Sequence, residues 1–158
     1  MEESTLKYWK DAGHVARRTL EAMKLELTPG KTFHEVIESA ERYIHRHGGK
    51  PAFPGTIAVN DLAAHFTTDH AVNHVEGWDG EMVLQKGDCV KIDFGVHIKG
   101  HIADNALTFE IGNGNEHTEQ IKAAKEARDA AIEMMHPGTP WYKVGQAAAQ
   151  PSLDAGFQ

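Results

Sequence analysis

Two aspartates, Asp93 and Asp104, are the residues of this sequence whose type and spacing best suit chemistry. The stretch from Asp88 to Phe109 alternates apolar with polar or small residues, and Lys99-Gly100 at its middle is a typical two-residue hairpin turn. With that turn, Gly95 lies opposite Asp104. Because Asp93 is two residues from Gly95, on the same face of its strand, the two carboxylates are diagonal neighbours across the predicted hairpin. The same register opposes apolar residues on the other face, in the pairs Ile92–Leu107 and Val90–Phe109.

Carboxylates held side by side repel each other, and burying them costs several kcal/mol unless a positive charge lies between them. A metal centre supplies that charge. Carboxylates suit hard or borderline divalent ions, and one carboxylate can bridge two ions at the roughly 3.5–4 Å spacing of a two-metal hydrolase. The pair therefore predicts a metal site. The alternative is that the aspartates are solvated on an open sheet face, or that one of them pairs with a lysine.

Three histidines before the hairpin are further candidates. His65 follows two alanines, which lets other groups approach it, so it is either a catalytic residue or a structural or surface histidine. His70 and His74 lie four residues apart in a polar segment, residues 67–81, and would form a zinc pair if that segment were helical. Because the glutamate that follows the first histidine in zinc proteases is absent, we predict a solvated loop there.

Composition limits the class of protein. The chain has 158 residues, which is long enough for a domain core, and its net charge is −7. Its single cysteine excludes a disulfide framework. No Lys/Arg run suggests nucleic acid as a partner. The acidic first residues predict no signal peptide, and no apolar run reaches the roughly 18 residues of a membrane span. The expectation is a cytoplasmic α+β protein.

Two amphipathic helices are predicted before the hairpin, one from Thr5 to Leu25 and a second that opens with the capping-box pattern Thr32 to Glu35 and ends at Gly48-Gly49. The apolar stripe of the first helix is predicted to comprise Leu6, Trp9, Gly13, Ala16, Leu20 and Met23. The inward residues of the second helix are predicted to be Phe33, Val36, Ile37, Ala40 and Ile44.

A short strand is predicted at Thr56–Val59, and residues 60–66 are predicted to turn into a second one. A further strand is predicted at Met82–Leu84. A third helix is predicted from Thr118 to about Met135, and a fourth from Thr139-Pro140, interrupted at Pro151. The inner residues of the third helix are predicted to be Ile121, Ala124, Ala127, Ala131, Ile132 and Met135. The fourth helix is predicted to pass through Val144, Ala147 and Ala148.

A shift of 108 residues aligns the first helix pair with the second. It superposes Pro29-Gly30 on Pro137-Gly138 and Gly48 on Gly156. The common pattern of helix, Pro-Gly stop, helix and glycine stop predicts a duplicated unit. Its second copy begins near residue 117 and is cut at residue 158, so the chain is expected to hold about half of the sheet and part of the site.

The combined motifs resemble those of the methionine aminopeptidases, most closely type 2. The motifs are Lys50-Pro-Ala-Phe-Pro54, Asn60-x-x-Ala-Ala-His65-Phe-Thr67, Lys86-Gly-Asp88, and Lys91-Ile-Asp93-Phe-Gly continued through Asp104. The resemblance implies an incomplete pita-bread fold, in which an antiparallel sheet is covered by helices, with residues 1–158 as the N-terminal part of one catalytic domain.

The resemblance also implies an activity, the metal-dependent removal of the N-terminal methionine from nascent proteins in the cytoplasm. Asp93 and Asp104 would bind two divalent ions, whether cobalt, manganese, iron or zinc. His65 would hydrogen-bond the scissile amide, and Phe53 would line the methionine pocket. The expected partner is the ribosome or a missing C-terminal half.

Three departures from the family pattern accompany the resemblance: the absent later ligands, a long segment at residues 67–81, and Pro151 inside a helix. The chain alone is therefore expected to be inactive. The alternatives are a non-catalytic pita-bread protein that binds peptides or proteins, and a dipeptidase relative that cleaves Xaa-Pro substrates. Retention of both aspartates argues against the first alternative, because without metal the pair is a cost that nothing relieves.

Overall fold

The computed structural model describes residues 3–62, 65–68, 82–112 and 114–157. The described residues form an α+β structure with two compact units, Met1–Asn113 and Gly114–Gln158. The elements of the first unit are α1 (Glu3–Glu26), α2 (Phe33–Arg46), β1 (Lys50–Pro51), β2 (Thr56–Val59), β3 (Cys89–Ile98) and β4 (His101–Glu110). Those of the second unit are α3 (Thr118–Met134) and α4 (Trp141–Asp154).

The sheet is antiparallel and is centred on β3. One edge of β3 pairs with β1 and β2 in tandem, and the other edge pairs with β4 along its whole length. The β3–β4 turn is Lys99-Gly100, with φ angles of 50° and 82°. Positive φ at both central residues defines a type I′ turn, which matches the twist of the strands it connects. The predicted hairpin and its register are confirmed.

The core of the first unit lies between the two helices and one face of the sheet. Helix α1 packs against β3 and β4, and α2 packs against β1 and β2. Alternate residues of β3 point into this core, because successive side chains of a strand point to opposite faces. They are Val90, Ile92, Phe94 and Val96, each no more than 1% exposed.

Helix α2 follows the sequence prediction closely. The Thr32 hydroxyl accepts from the Glu35 backbone N–H, and the Glu35 carboxylate accepts from the Thr32 backbone N–H, which completes the capping box. This contact to the Thr32 backbone lowers the pKa of Glu35. The helix buries all five of its predicted inward residues, and Gly48 with φ 81° follows its end.

The predicted stripe of α1 is wrong at its beginning. Leu6 and Trp9 are 44% and 42% exposed, while Ala12, Val15 and Thr19 join the buried side. The first turns of α1 lie over the tip of the hairpin rather than over the core. There the Trp9 ring meets the His101 ring edge-on, with the ring centroids 5.3 Å apart. An apolar residue near a helix end does not reach the core when the sheet beneath it has ended.

Two predicted short strands are not formed. Met82 to Leu84 makes only an isolated bridge at Val83, because the Met82 and Leu84 backbone groups bond to the connection between α1 and α2. Residues 65–68 are not a strand either. The Phe66 carbonyl accepts from the Ile57 N–H at 2.9 Å, which holds this segment beside β2.

In the second unit, α3 and α4 pack against each other and bury Ala123 and Val144. The predicted inner face of α3 is wrong, since Ile132 and Met135 are 59% and 50% exposed. Pro151 does not interrupt α4, contrary to prediction. It lies near the helix end, where its missing N–H removes a single hydrogen bond, and Ala155 still donates to the Pro151 carbonyl.

Candidate active site

Asp93 and Asp104 meet on the sheet face opposite the core. Gly95 pairs with Asp104 and Asp93 pairs with Ala106, so the two aspartates are diagonal neighbours as predicted. Their carboxyl groups are close enough to hydrogen-bond to each other. Asp93 is half-buried and Asp104 is exposed. The hairpin therefore places two carboxylate groups at one point that is open to solvent on one side.

Asp93 is the electrostatically unusual member of the pair. Its Oδ1 atom is buried and has no hydrogen-bond partner among the described residues. Burial raises the pKa of Asp93 above its ordinary value of 3.8, and the neighbouring Asp104 raises it further; Lys91 and His65 oppose these effects. A buried carboxylate oxygen without a partner is costly, and a cation bound to it would remove that cost.

These two carboxylates fit a divalent ion in chemistry and in placement. They do not complete its coordination. Among the residues in the described ranges, no group of three or more His, Cys, Asp or Glu side chains is arranged to hold a metal ion. The described part of the chain thus supplies two acidic ligands that lie side by side.

Phe53 lies on the same face, next to the carboxylates. The chain leaves the edge of β3 between β1 and β2, and Phe53 lies in this gap with its ring against Gly95. Because Gly95 is two residues from Asp93 and directly opposite Asp104, the ring forms an apolar wall beside both. The structure thus brings Phe53 and the two aspartates together on one face of the sheet.

His65 is exposed and has φ 62°, which is uncommon for a residue with a side chain. It is near enough to lower the pKa of Asp93 by an electrostatic interaction. Hydrogen bonds at two points hold the segment that contains His65. Phe66 is bonded to Ile57, as described above, and the Asn60 side chain accepts from the Cys89 N–H and donates to the Asp88 carboxylate at 3.0 and 2.9 Å.

Sequence reasoning missed Gly95 and Asn60 as parts of this site. A glycine inside a strand indicates a close approach by another group, and that signal was present between the two aspartates. Asn60 has φ 52°, a conformation that asparagine tolerates better than most residues. His70 and His74, the alternative zinc pair, lie outside the described residues.

In the metal-free protein, Asp93→Asn should raise stability at pH 7 by about 0.5–2 kcal/mol, the common size of a stabilising substitution, because the amide carries no charge that burial penalises. The folded-state pKa of Asp93 is raised, so between pH 3.8 and that pKa the folded state binds more protons than the unfolded state. Wild-type stability is thus lost as pH rises through this window, and the advantage of the variant disappears below about pH 3.8. Urea titrations in EDTA at several pH values measure this.

The exposed Asp61, in the turn after β2, provides the matched control. Asp61→Asn removes the same charge from the same unit without touching the pair. Its stability difference from wild type should be small and should not follow that pH window. Equal pH profiles for the two variants would show that burial of the Asp93 charge costs nothing.

The fold and the paired carboxylates define a class, the pita-bread metallopeptidases. The structure of methionine aminopeptidase from Rickettsia prowazekii is similar with a TM-score of 0.82 and 21% identity, over 98% of this chain and 61% of that one. A profile of metallopeptidase family M24 matches residues 7–158. The chain belongs to this family, and membership implies divalent metal ions.

Methionine aminopeptidases are also among its sequence relatives. The protein from Thermococcus onnurineus is 36% identical over 146 residues, which cover 92% of this chain and 46% of the relative. The protein from Archaeoglobus fulgidus is 35% identical over 158 residues, 100% of this chain and 50% of the relative. The chain thus spans about half the length of these curated relatives. None of the helices in the described ranges is long and apolar enough to cross a bilayer.

Proposed function

We propose that this chain is the N-terminal part of a pita-bread catalytic domain that removes N-terminal methionine from polypeptides. One observation carries the proposal: Asp93 and Asp104 are diagonal neighbours, and the buried Oδ1 of Asp93 has no hydrogen-bond partner among the described residues. The similarity to methionine aminopeptidases supports the choice of substrate. Nascent proteins, whose first residue is methionine, are the proposed substrate class.

Each site residue has a proposed role. Asp93 and Asp104 would hold two divalent ions, whether cobalt, manganese, iron or zinc. When bound, such ions supply Lewis acidity and lower the pKa of water. His65 donates a hydrogen bond to the scissile amide and stabilises charge that develops there. Phe53 packs against the methionine side chain, excludes water from it, and thereby orients the peptide.

The proposed domain contains an internal repeat, whose second copy begins near residue 117. Helices α2 and α4 both have 14 residues and begin at positions 33 and 141, which are 108 apart. Gly30 and Gly138 have φ angles of 90° and 88°, and Gly48 and Gly156 both have 81°. Matching lengths and matching left-handed glycines at one offset support duplication of a helical pair.

The 158 residues alone should bind metal weakly and hydrolyse little. A divalent ion needs at least four ligands, and the described part of the chain offers two adjacent carboxylates. Calorimetric titration of the chelated chain with Co²⁺ or Mn²⁺ should give a Kd weaker than that of the natural full-length polypeptide. Peptidase activity in the remetallated 158-residue chain would contradict this.

The main test uses the natural full-length polypeptide, stripped with chelator and reloaded with one metal at a time. Methionine should be released from Met-Ala-Ser but not from an Xaa-Pro dipeptide. Release from the Xaa-Pro substrate alone would favour a dipeptidase, and metal binding without any hydrolysis would favour a binding protein on the same fold.

The proposed role of His65 predicts a specific kinetic loss. His65→Ala should lower kcat for Met-Ala-Ser about 10²- to 10³-fold, because one hydrogen bond to developing charge is removed, and should leave metal content unchanged. Steady-state kinetics with metal analysis measure both quantities. The exposed His14 on α1 offers a control, since His14→Ala should change neither. An unchanged kcat in the His65 variant would place this histidine outside the catalytic machinery.

A further inference from the structure

We propose that Gly95 is a specificity-determining residue, because its missing side chain provides the space in which the Phe53 ring lies against the sheet. This inference depends on the proposed function for its substrate and on the structure alone for its geometry. It assigns a role to a residue that touches neither metal nor substrate.

The geometry shows how little room exists above Gly95. A Cβ atom added there would lie 2.8 Å from Cδ1 of Phe53 and 2.9 Å from Cβ of Ala52, and the Phe53 Cε1 atom would be closer still. Carbon atoms in contact are ordinarily about 3.5–4.0 Å apart. The φ of Gly95 is not left-handed, so the requirement for glycine arises from space and not from backbone conformation. Even an alanine would force a neighbour to move.

Ala52 is the neighbour that cannot move easily. Its N–H donates to the Gly95 carbonyl at 2.9 Å, and Pro51 before it is paired with Val96. Pro54 limits the backbone of Phe53, because a residue that precedes proline is restricted to extended conformations. Relief must therefore come from rotation of the Phe53 ring away from the sheet.

The direction of that rotation links Gly95 to the choice of substrate. The ring lies beside the cross-strand pair of Gly95 and Asp104, and Asp93 is two residues from Gly95 on the same face of β3. A ring lifted from the sheet occupies space beside the carboxylates, where the first side chain of the peptide is proposed to lie. When the Phe53 ring lies against Gly95, a long unbranched apolar side chain has room to bind. When the ring is displaced from the sheet, long side chains bind less well, and short ones are affected less.

The kinetic test compares Met-Ala-Ser with norvalyl-Ala-Ser, whose first side chain is one heavy atom shorter, in the natural full-length polypeptide. Gly95→Ala should lower kcat/KM for the methionine peptide about 10- to 200-fold, with a smaller loss for the norvaline peptide. Adding Phe53→Leu to Gly95→Ala should restore part of the loss, because leucine clears the new methyl group. Equal losses for both peptides, without restoration, would overturn the proposal.

A second measurement does not depend on activity or on the folding of the Gly95 variant. An aromatic ring that lies against Gly95 shifts the NMR resonances of the Gly95 Hα protons. Phe53→Leu should therefore move these resonances by several tenths of a ppm. Phe109→Leu is the matched control, since Phe109 pairs with Val90 at the far end of the hairpin and should leave them in place. Unmoved resonances in Phe53→Leu would show that the Phe53 ring does not lie against Gly95, which would overturn the proposal. Failure of the wild type to release methionine would instead overturn the proposed function, and the NMR comparison would still decide whether the Phe53 ring lies against Gly95.

Discussion

Replacing Asp93 or Asp104 by asparagine in the metal-loaded, full-length polypeptide should lower methionine release on the order of 10³-fold or more. Each substitution removes an anionic ligand from the same point on the sheet face. Loss of several kcal/mol of transition-state stabilisation corresponds to such a factor, since each 1.36 kcal/mol is tenfold in rate. The measurement is kcat/KM for Met-Ala-Ser together with metal content by mass spectrometry.

The two variants should lose metal as well as activity, which separates ligand loss from a purely steric effect. Asp61→Asn serves again as the control, because it changes an exposed carboxylate of the same unit outside the pair and should retain both properties. Full activity in either site variant would remove the paired aspartates from the mechanism. In Asp93→Asn, lower activity should accompany the higher metal-free stability predicted above, so the same residue should show opposite effects on stability and on catalysis.

The largest expected effect on stability belongs to Ile92, which is 1% exposed at the centre of β3. Ile92→Ala removes three buried carbon atoms from the core face of the hairpin and leaves a cavity beneath α1 and α2. Such substitutions cost about 2–5 kcal/mol, a large part of the roughly 5–15 kcal/mol that holds a domain folded. Urea unfolding of the metal-free protein, followed by circular dichroism, measures the change.

Ile102 on the adjacent strand gives a closely matched comparison. It has the same side chain in the same hairpin but is 53% exposed on the other face. Ile102→Ala should cost less than about 1 kcal/mol. Comparable losses for the two variants would mean that the face assignment of the hairpin is wrong, and with it the placement of both aspartates away from the core.

The hairpin and α2 could be predicted from sequence because local rules determine them. A two-residue turn at Lys99-Gly100 leaves one register for the strands on either side, and a shift of one residue would move Ile92 to the wrong face. The capping box of Thr32 and Glu35 likewise fixes where α2 begins. The hairpin also positions the two carboxylates, so the placement of Asp93 beside Asp104 was predictable.

The sequence predictions were wrong or incomplete where the structure of a segment depends on distant residues that contact it. Trp9 continues an apolar spacing, yet nothing in its own helix shows that the sheet ends beneath it. Met82 to Leu84 has the composition of a strand, but its backbone groups bond to residues 30–33 and not to the sheet. The close approach of Phe53 to Gly95 joins residues 42 positions apart, and neither residue alone reveals it.

The closeness of Asp93 and Asp104 along the chain has a consequence for how the site assembles during folding. Their strands are joined by two residues, and hairpins of this kind form in about 1–10 μs, whereas pairing between distant segments must first overcome the entropy of closing a larger loop. The two carboxylates can therefore meet before β1 and β2 add to the other edge of β3 and before His65 arrives. Repulsion between the carboxylates opposes this early pairing, and a divalent ion present at that stage would accelerate it, so the rate of refolding should depend on the metal in solution.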